Sequence, residues 1–278
     1  MPRLFAILRS VLFVPGDRPD RFASAAAAGA DAIVFDLEDS VDATRKAEAR
    51  RAVADYLAAP TNSPAARLVR INAAGSSWWR LDLAFVSGLG RIDGVVVPKA
   101  ETPASIEAAA RAITSGRVMP LIETARGVLN ALALAGADAA VPALLFGAED
   151  LTAQMGVPRT VDGEELLVAR SHVVLAAAAT GADAIDAVFV DIGAVDALRR
   201  DAVRARALGF RGKMAIHPTQ IAIINEVFSP SADEITRARR IVEAYDAASA
   251  RGESVIRLDN QMVDAPVVLR ARRVLERC

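Results

Sequence analysis

Three side chains on which common site chemistries depend are nearly missing from this chain of 278 residues. Cysteine occurs once, at Cys278, and histidine twice, at His172 and His217. A single thiol excludes an intrachain disulfide framework and a thiolate metal cluster, and two imidazoles leave no multi-histidine zinc site. Lys46, Lys99 and Lys213 are the whole lysine complement among 33 basic residues, so arginine stands nearly everywhere else. Aromatic residues make up 5% of the chain, too few for a base-stacking RNA surface. The acidic residues, 34 in all, leave a net charge of −1 and no basic field for nucleic acid or an anionic membrane. No apolar run approaches the ~18 residues of a membrane-spanning helix. The run Leu4–Leu8 is broken by Arg9 and Ser10 and is too short for a secretory signal core. A soluble, cytoplasmic protein is therefore expected.

What is present is apolar content, 53% of the chain, which excludes a disordered polypeptide. It is distributed in a repeating texture. Short β-branched or apolar runs stand at Val11–Val14, Ala32–Leu37, Arg67–Ile71, Gly94–Val97, Val118–Ile122, Ala143–Phe146, Ala184–Val190 and Lys213–Ile216. Ala/Arg/Leu-rich stretches of helical period separate them. Strands that are apolar on both faces belong to a parallel sheet wrapped by helices, and eight such βα units fit a closed (β/α)₈ TIM barrel. Gly-Ala-Asp-Ala recurs at Gly29, Gly136 and Gly181, where a left-handed glycine would end a helix before the next strand. The barrel is predicted over residues 1–228. Residues 229–278 form a C-terminal helical extension: a helix over Ala232–Ala250, a polar segment over Arg251–Asn260 and a last helix near Ala265–Arg277. That extension reads as packing, as a lid, or as an arm to a neighbouring subunit.

Catalytic groups of such barrels stand at the C-terminal ends of the strands. Reading only those ends collects Asp17 and Arg18; Asp36, Glu38 and Asp39; Arg70 and Asn72; Lys99; Glu123; Glu149 and Asp150; Asp191; and His217-Pro218. Any one acid also reads as a helix cap or a rim salt bridge. The collection reads as an acidic cup. Glu123 and Asp150 end consecutive strands, which lie ~4.8 Å apart in a sheet. Two carboxylates there suit one hard dication, magnesium or alternatively manganese, with its remaining positions filled by water and substrate oxygen. Arg70, on a strand of the same bowl, suits a carboxylate or a developing oxyanion.

Seven segments in order carry a family resemblance: Ser10–Arg18, Asp36–Val41, Val69–Asn72, Val97–Lys99, Leu121–Thr124, Phe146–Leu151 (with Gly147) and Lys213–Pro218. Together they resemble the citrate lyase beta subunit-like enzymes of the HpcH/HpaI aldolase superfamily, which includes malyl-CoA and citramalyl-CoA lyases. The resemblance implies a Mg²⁺-dependent oxo-acid lyase. Such an enzyme cleaves a 3-hydroxy-acyl-CoA thioester of citramalyl, malyl or citryl type into a short acyl-CoA and a 2-oxo acid by retro-Claisen chemistry. It implies metal ligands at Glu123 and Asp150, substrate binding by Arg70, and acids at Glu38 and Asp39 that hold the waters of the metal. Arg18, Lys99, Gly147 and the His217-Pro218 turn would lie near the thioester or the substrate mouth, although His217 reads equally as a packed rim residue. Gln261–Pro266 resembles the C-terminal lid of CoA-type members, where an aspartate reaches a neighbour's active site in a trimer. Asp264 would then exchange a proton with the acyl-thioester carbon or activate water, and it reads also as a plain helix cap. The assembly implied is a homotrimer, with a hexamer as the alternative. Rival readings are a malyl-CoA-type thioesterase, an HpaI-like 2-oxo acid aldolase acting without CoA, and a non-catalytic thioester-binding subunit.

Overall fold

A computed structural model describes residues 7–90, 92–113 and 116–278; the first three residues of the Leu4–Leu8 run lie outside them. Eight parallel strands close into a barrel in sequence order, with the last paired to the first. They are β1 (Ser10–Pro15), β2 (Ala32–Asp36), β3 (Ala66–Arg70), β4 (Gly94–Val97), β5 (Arg117–Ile122), β6 (Ala143–Phe146), β7 (Asp183–Asp186) and β8 (Gly212–Ala215). Every residue of β2, β4, β6 and β8 is buried, which is why these runs are apolar without alternation. The chain clusters into two compact units, one spanning Leu8–Glu226 and one containing Val227–Cys278. Among the described residues no helix is long and apolar enough to cross a membrane.

Three local expectations need correction. The seventh run was expected to be extended through Val190, but β7 stops at Asp186. Beyond it the backbone leaves the ladder, and the Phe189 carbonyl accepts from Gln220 Nε2 at 2.8 Å instead. Asp191 consequently sits in an exposed loop and ends no strand. The Gly-Ala-Asp repeat is left-handed at Gly29 (φ 76°) and Gly181 (φ 79°), whereas Gly136 caps its helix at φ −96°. The polar segment after residue 250 contains a hairpin, β9 (Ile256–Leu258) and β10 (Gln261–Val263). Its turn residues Asp259 and Asn260 both have positive φ, 48° and 60°, the conformation of a two-residue type I′ turn.

In the second unit the helix Ala232–Ser249 starts with a complete capping box between Ser231 and Glu234. The last helix, Ala265–Leu275, is capped by Asp264, whose Oδ1 accepts from the Val267 N–H at 3.2 Å.

Lys213 has a structural task. Its ammonium bonds Asp186 at 2.6 Å and also Asp201, and Arg170 forks onto Asp186 at 2.6 and 3.0 Å. Register places Lys213 opposite Asp186 on β7, and the helices Leu167–Thr180 and Val195–Leu208 supply the other two charges. This buried network ties the helix layer to the barrel and uses up the lysine.

Candidate active site

The site begins with strand register. Asp36 ends β2 and Arg70 ends β3, and the two are direct cross-strand partners. Arg70 Nε and Nη2 donate to the two oxygens of Asp36, both at 2.6 Å, and Nη1 pairs with Glu38 Oε2 at 3.0 Å. The guanidinium also lies 5.3 Å from the Phe13 ring centre. Burial pushes the Asp36 carboxyl up, but the charge and hydrogen bonds of Arg70 outweigh it and hold Asp36 below the ordinary range. Burial works against the Arg70 charge as well, and Asp36, Glu38 and Glu123 overcome it, so Arg70 stays ionised. Three of its five N–H donors are consumed by this frame, and two remain for another partner.

The loop after β2 is fixed from beneath. Lys46 Nζ donates to the carbonyls of Leu37 and Glu38, each at 2.7 Å, and Asn72 Nδ2 donates to the Leu37 carbonyl at 2.9 Å. Buried carbonyls that end a strand need donors, and these side chains supply them. Glu38 is buried beside Arg70 and Lys99, and Asp39 faces solvent.

Glu123 follows β5 and is 2% exposed. Its Oε1 accepts the backbone N–H of Lys99 at 2.7 Å. Burial first, then the charges of Asp150 and Glu38, push the Glu123 carboxyl up to about 8 against the pull of Arg70. The β5–β6 register pairs Ile122 with Phe146, so the next residue of each strand, Glu123 and Gly147, face one another. A Cβ on Gly147 would lie 2.5 Å from Glu123 Cβ and 2.7 Å from Oε2. Only glycine leaves room for the carboxylate.

Lys99 lies just past β4 in a left-handed conformation, φ 47°. Its ammonium bonds Glu38 and Asp39, the latter at 2.8 Å, and stands 3.8 Å from Asp150. Burial lowers the affinity of this amine for its proton, but hydrogen bonds to Asp39 and Glu38 more than restore it, so Lys99 is held above its ordinary range. Glu149 and Asp150 do not end β6. They occupy the first turn of the helix Ala148–Met155, where carboxylates suit the positive end of the helix dipole. Glu149 is paired with Arg159.

Arg70, Glu123, Gly147 and Asp150 line one cavity of ≈ 340 Å³, walled elsewhere by apolar side chains such as Phe13, Leu121 and Met214. Five carboxyl groups converge on it or on its ion pairs (Asp36, Glu38, Asp39, Glu123 and Asp150), against three cations, Arg70, Lys99 and Arg21. The acids outnumber the cations. Among the described residues no three His, Cys, Asp or Glu side chains converge as a ready-made metal cage. The donor set is therefore an all-oxygen pair in an under-neutralised pocket, which fits a magnesium-like ion that keeps water and takes substrate oxygen.

Of the residues singled out in the sequence, Arg70, Glu38, Asp39, Lys99, Glu123, Gly147 and Asp150 come together here. Arg18 is exposed and forks onto Asp20 at 2.9 and 2.7 Å. His217 caps a short turn, with Nδ1 2.8 Å from Thr219 Oγ1, and neither it nor Pro218 lines the cavity. Asp264 belongs to the C-terminal unit. One charged cavity residue escapes sequence reasoning, Arg21, which follows β1; Ser40 also lines the cavity and lies within the segment Asp36–Val41 singled out above.

The profile of the HpcH/HpaI aldolase/citrate lyase family matches residues 9–218. A citrate lyase subunit beta-like protein of Deinococcus radiodurans is 40% identical, covering 97% of both chains. A (3S)-malyl-CoA thioesterase of Cereibacter sphaeroides is 34% identical, covering 96% of this chain and 93% of the other. Among solved structures, CitE of Mycobacterium tuberculosis in complex with magnesium, acetoacetate and coenzyme A superposes with a TM-score of 0.82 and 38% identity, covering 99% of both chains. This chain belongs to the HpcH/HpaI aldolase/citrate lyase family.

Proposed function

We propose that this protein is a magnesium-dependent carbon–carbon lyase. It would cleave a 3-hydroxy-acyl-CoA thioester of citramalyl, malyl or citryl type into a short acyl-CoA and a 2-oxo acid. The observation that carries this reading is Glu123. It is a buried carboxyl crowded by Asp150 and Glu38, given space by Gly147 and oriented by a main-chain donor. Glu123 and Asp150 would hold the ion, and Glu38 and Asp39 would hold its waters. The magnesium-bound relative with coenzyme A supports this assignment. When bound, the ion supplies Lewis-acid polarisation of a substrate oxygen.

The protein's own groups do the rest. Cleavage would begin with loss of the substrate hydroxyl proton to solvent; Arg70, locked by Asp36, would offer its two spare N–H groups to the resulting alkoxide and then to the 2-oxo acid formed from it, with no reorganisation as the carbon–carbon bond breaks. Lys99 stays protonated on Asp39 and Glu38 and lacks the free amine that an imine aldolase requires. The apolar wall keeps the departing enolate from water. Asp264, supplied by the extension in a homotrimer, would return a proton to the enolate carbon; Arg18 and the His217-Pro218 turn, which do not line the cavity, would serve the thioester portion outside it. Thioester hydrolysis is the second reading, favoured by the likeness to the malyl-CoA thioesterase.

Metal-stripped protein is expected to be inactive and restored by Mg²⁺, with Glu123→Gln and Asp150→Asn inactive yet folded. Activity that resists chelation and is trapped by borohydride would overturn the proposal.

A further inference from the structure

Arg21 lines the catalytic cavity as an exposed residue whose charge acts on Asp20. The acids beside it in sequence are already engaged. Asp20 is forked by Arg18, and Asp17 is bonded by Arg45 at 2.6 Å, which also pairs with Glu48. Among the described residues Arg21 forms no salt bridge, and it stands on a fixed turn. Its backbone N–H donates to the Arg18 carbonyl at 3.0 Å. The next residue, Phe22, is buried with its ring 5.0 Å from that of Phe35.

The other cations of the site cannot meet a second anionic group. Lys99 is bound to Glu38 and Asp39. Arg70 has two N–H groups left, enough for one planar acid group and no more. With those donors engaged, a further carboxylate entering the pocket needs a cation of its own. We propose that Arg21 is the counter-charge for a second carboxylate on the 2-oxo acid. It thereby selects a dicarboxylic over a monocarboxylic oxo acid. This inference rests on the lyase reading above.

The test is an equilibrium titration of the magnesium-loaded, full-length protein with oxaloacetate, pyruvate and coenzyme A, each alone. Wild type is compared with Arg21→Gln and Arg21→Lys. Arg21→Gln is expected to weaken oxaloacetate about tenfold and to leave pyruvate within about twofold, the size of one partly exposed charge-assisted hydrogen bond. Unchanged pyruvate binding also shows that the variant is folded with its metal site intact. Arg21→Lys should recover part of the loss. Equal weakening of both oxo acids, no weakening, or a loss confined to coenzyme A overturns the inference. Wild type that binds neither oxo acid sinks the lyase reading and this inference with it, and that result needs no variant to recognise.

Discussion

The backbone N–H of Lys99 donates to Glu123 Oε1 at 2.7 Å from a left-handed turn with φ 47°. A main-chain donor orients a carboxylate without cancelling its full charge. The ammonium of the same residue is thereby left for Glu38 and Asp39. One residue thus aims a metal-ligand candidate and neutralises its neighbours.

Replacing Lys99 by Met keeps the N–H and deletes the charge. Metal-free Lys99→Met should be less stable than wild type by about 1–2 kcal/mol, since buried Glu38 loses a partner. Magnesium should then raise its melting temperature by more than it raises that of wild type, because the ion no longer competes with an ammonium 3.8 Å from Asp150. Equal magnesium-induced shifts in the two proteins, measured by thermal unfolding, would refute this division of labour.

Gly147→Ala places a methyl group 2.7 Å from Glu123 Oε2. The carboxylate must turn away, so the magnesium-induced rise in melting temperature and the lyase activity should both vanish while circular dichroism stays native. A Gly147→Ala enzyme with wild-type magnesium affinity would show that Glu123 is not held where the metal binds.

The Glu123 carboxyl, raised from an ordinary 4.5 to about 8, sets a sign for pH dependence. The folded state keeps a proton that the unfolded state releases, so this group costs stability progressively as pH climbs from 4.5 to about 8 and no further above it. Metal-free Glu123→Gln should escape that decline and be the more stable protein near neutrality, although inactive. Magnesium must displace the same proton, so its affinity should fall roughly tenfold per pH unit below the raised value. Calorimetric titration in buffers of different ionisation heat measures the released proton; a flat affinity between pH 6 and 8 contradicts the assignment.

Arg70→Lys keeps the charge and loses the fork onto Asp36 and the bond to Glu38. Turnover should fall by roughly 10²–10³, the range for losing a fixed oxyanion donor. Arg70→Gln should additionally cost about 3–5 kcal/mol, because Asp36 is left buried without a counter-charge. Urea unfolding separates the two variants, and equal stability would argue against the buried pair as the anchor of the site.

The barrel was legible because burial on both faces writes itself as continuous apolar runs. Gly94–Val97 and Ala143–Phe146 are observed with the predicted ends. The run at Ala184–Val190 misled for the same reason: its last residues are apolar but line a loop, and apolarity carries no record of hydrogen-bond partners. The hairpin Ile256–Val263 turns at Asp259-Asn260, a pair that composition alone shows only as part of a polar segment. Within the site, the strand-end rule found the acids and Arg70. It listed Lys99 and not Lys213, which is spent on Asp186, but it could not see that Arg18 is forked onto Asp20 while Arg21 lines the cavity, because pairing is decided across strands and loops.

The central claim concerns which bond breaks, and product stoichiometry decides it. Metal-stripped protein is supplied with malyl-, citramalyl- or citryl-CoA, Mg²⁺ is added, and 2-oxo acid and free thiol are followed separately. The account predicts 2-oxo acid appearing with acyl-CoA one for one on at least one substrate, only after magnesium is added, with no free thiol. Free thiol released without 2-oxo acid would contradict it.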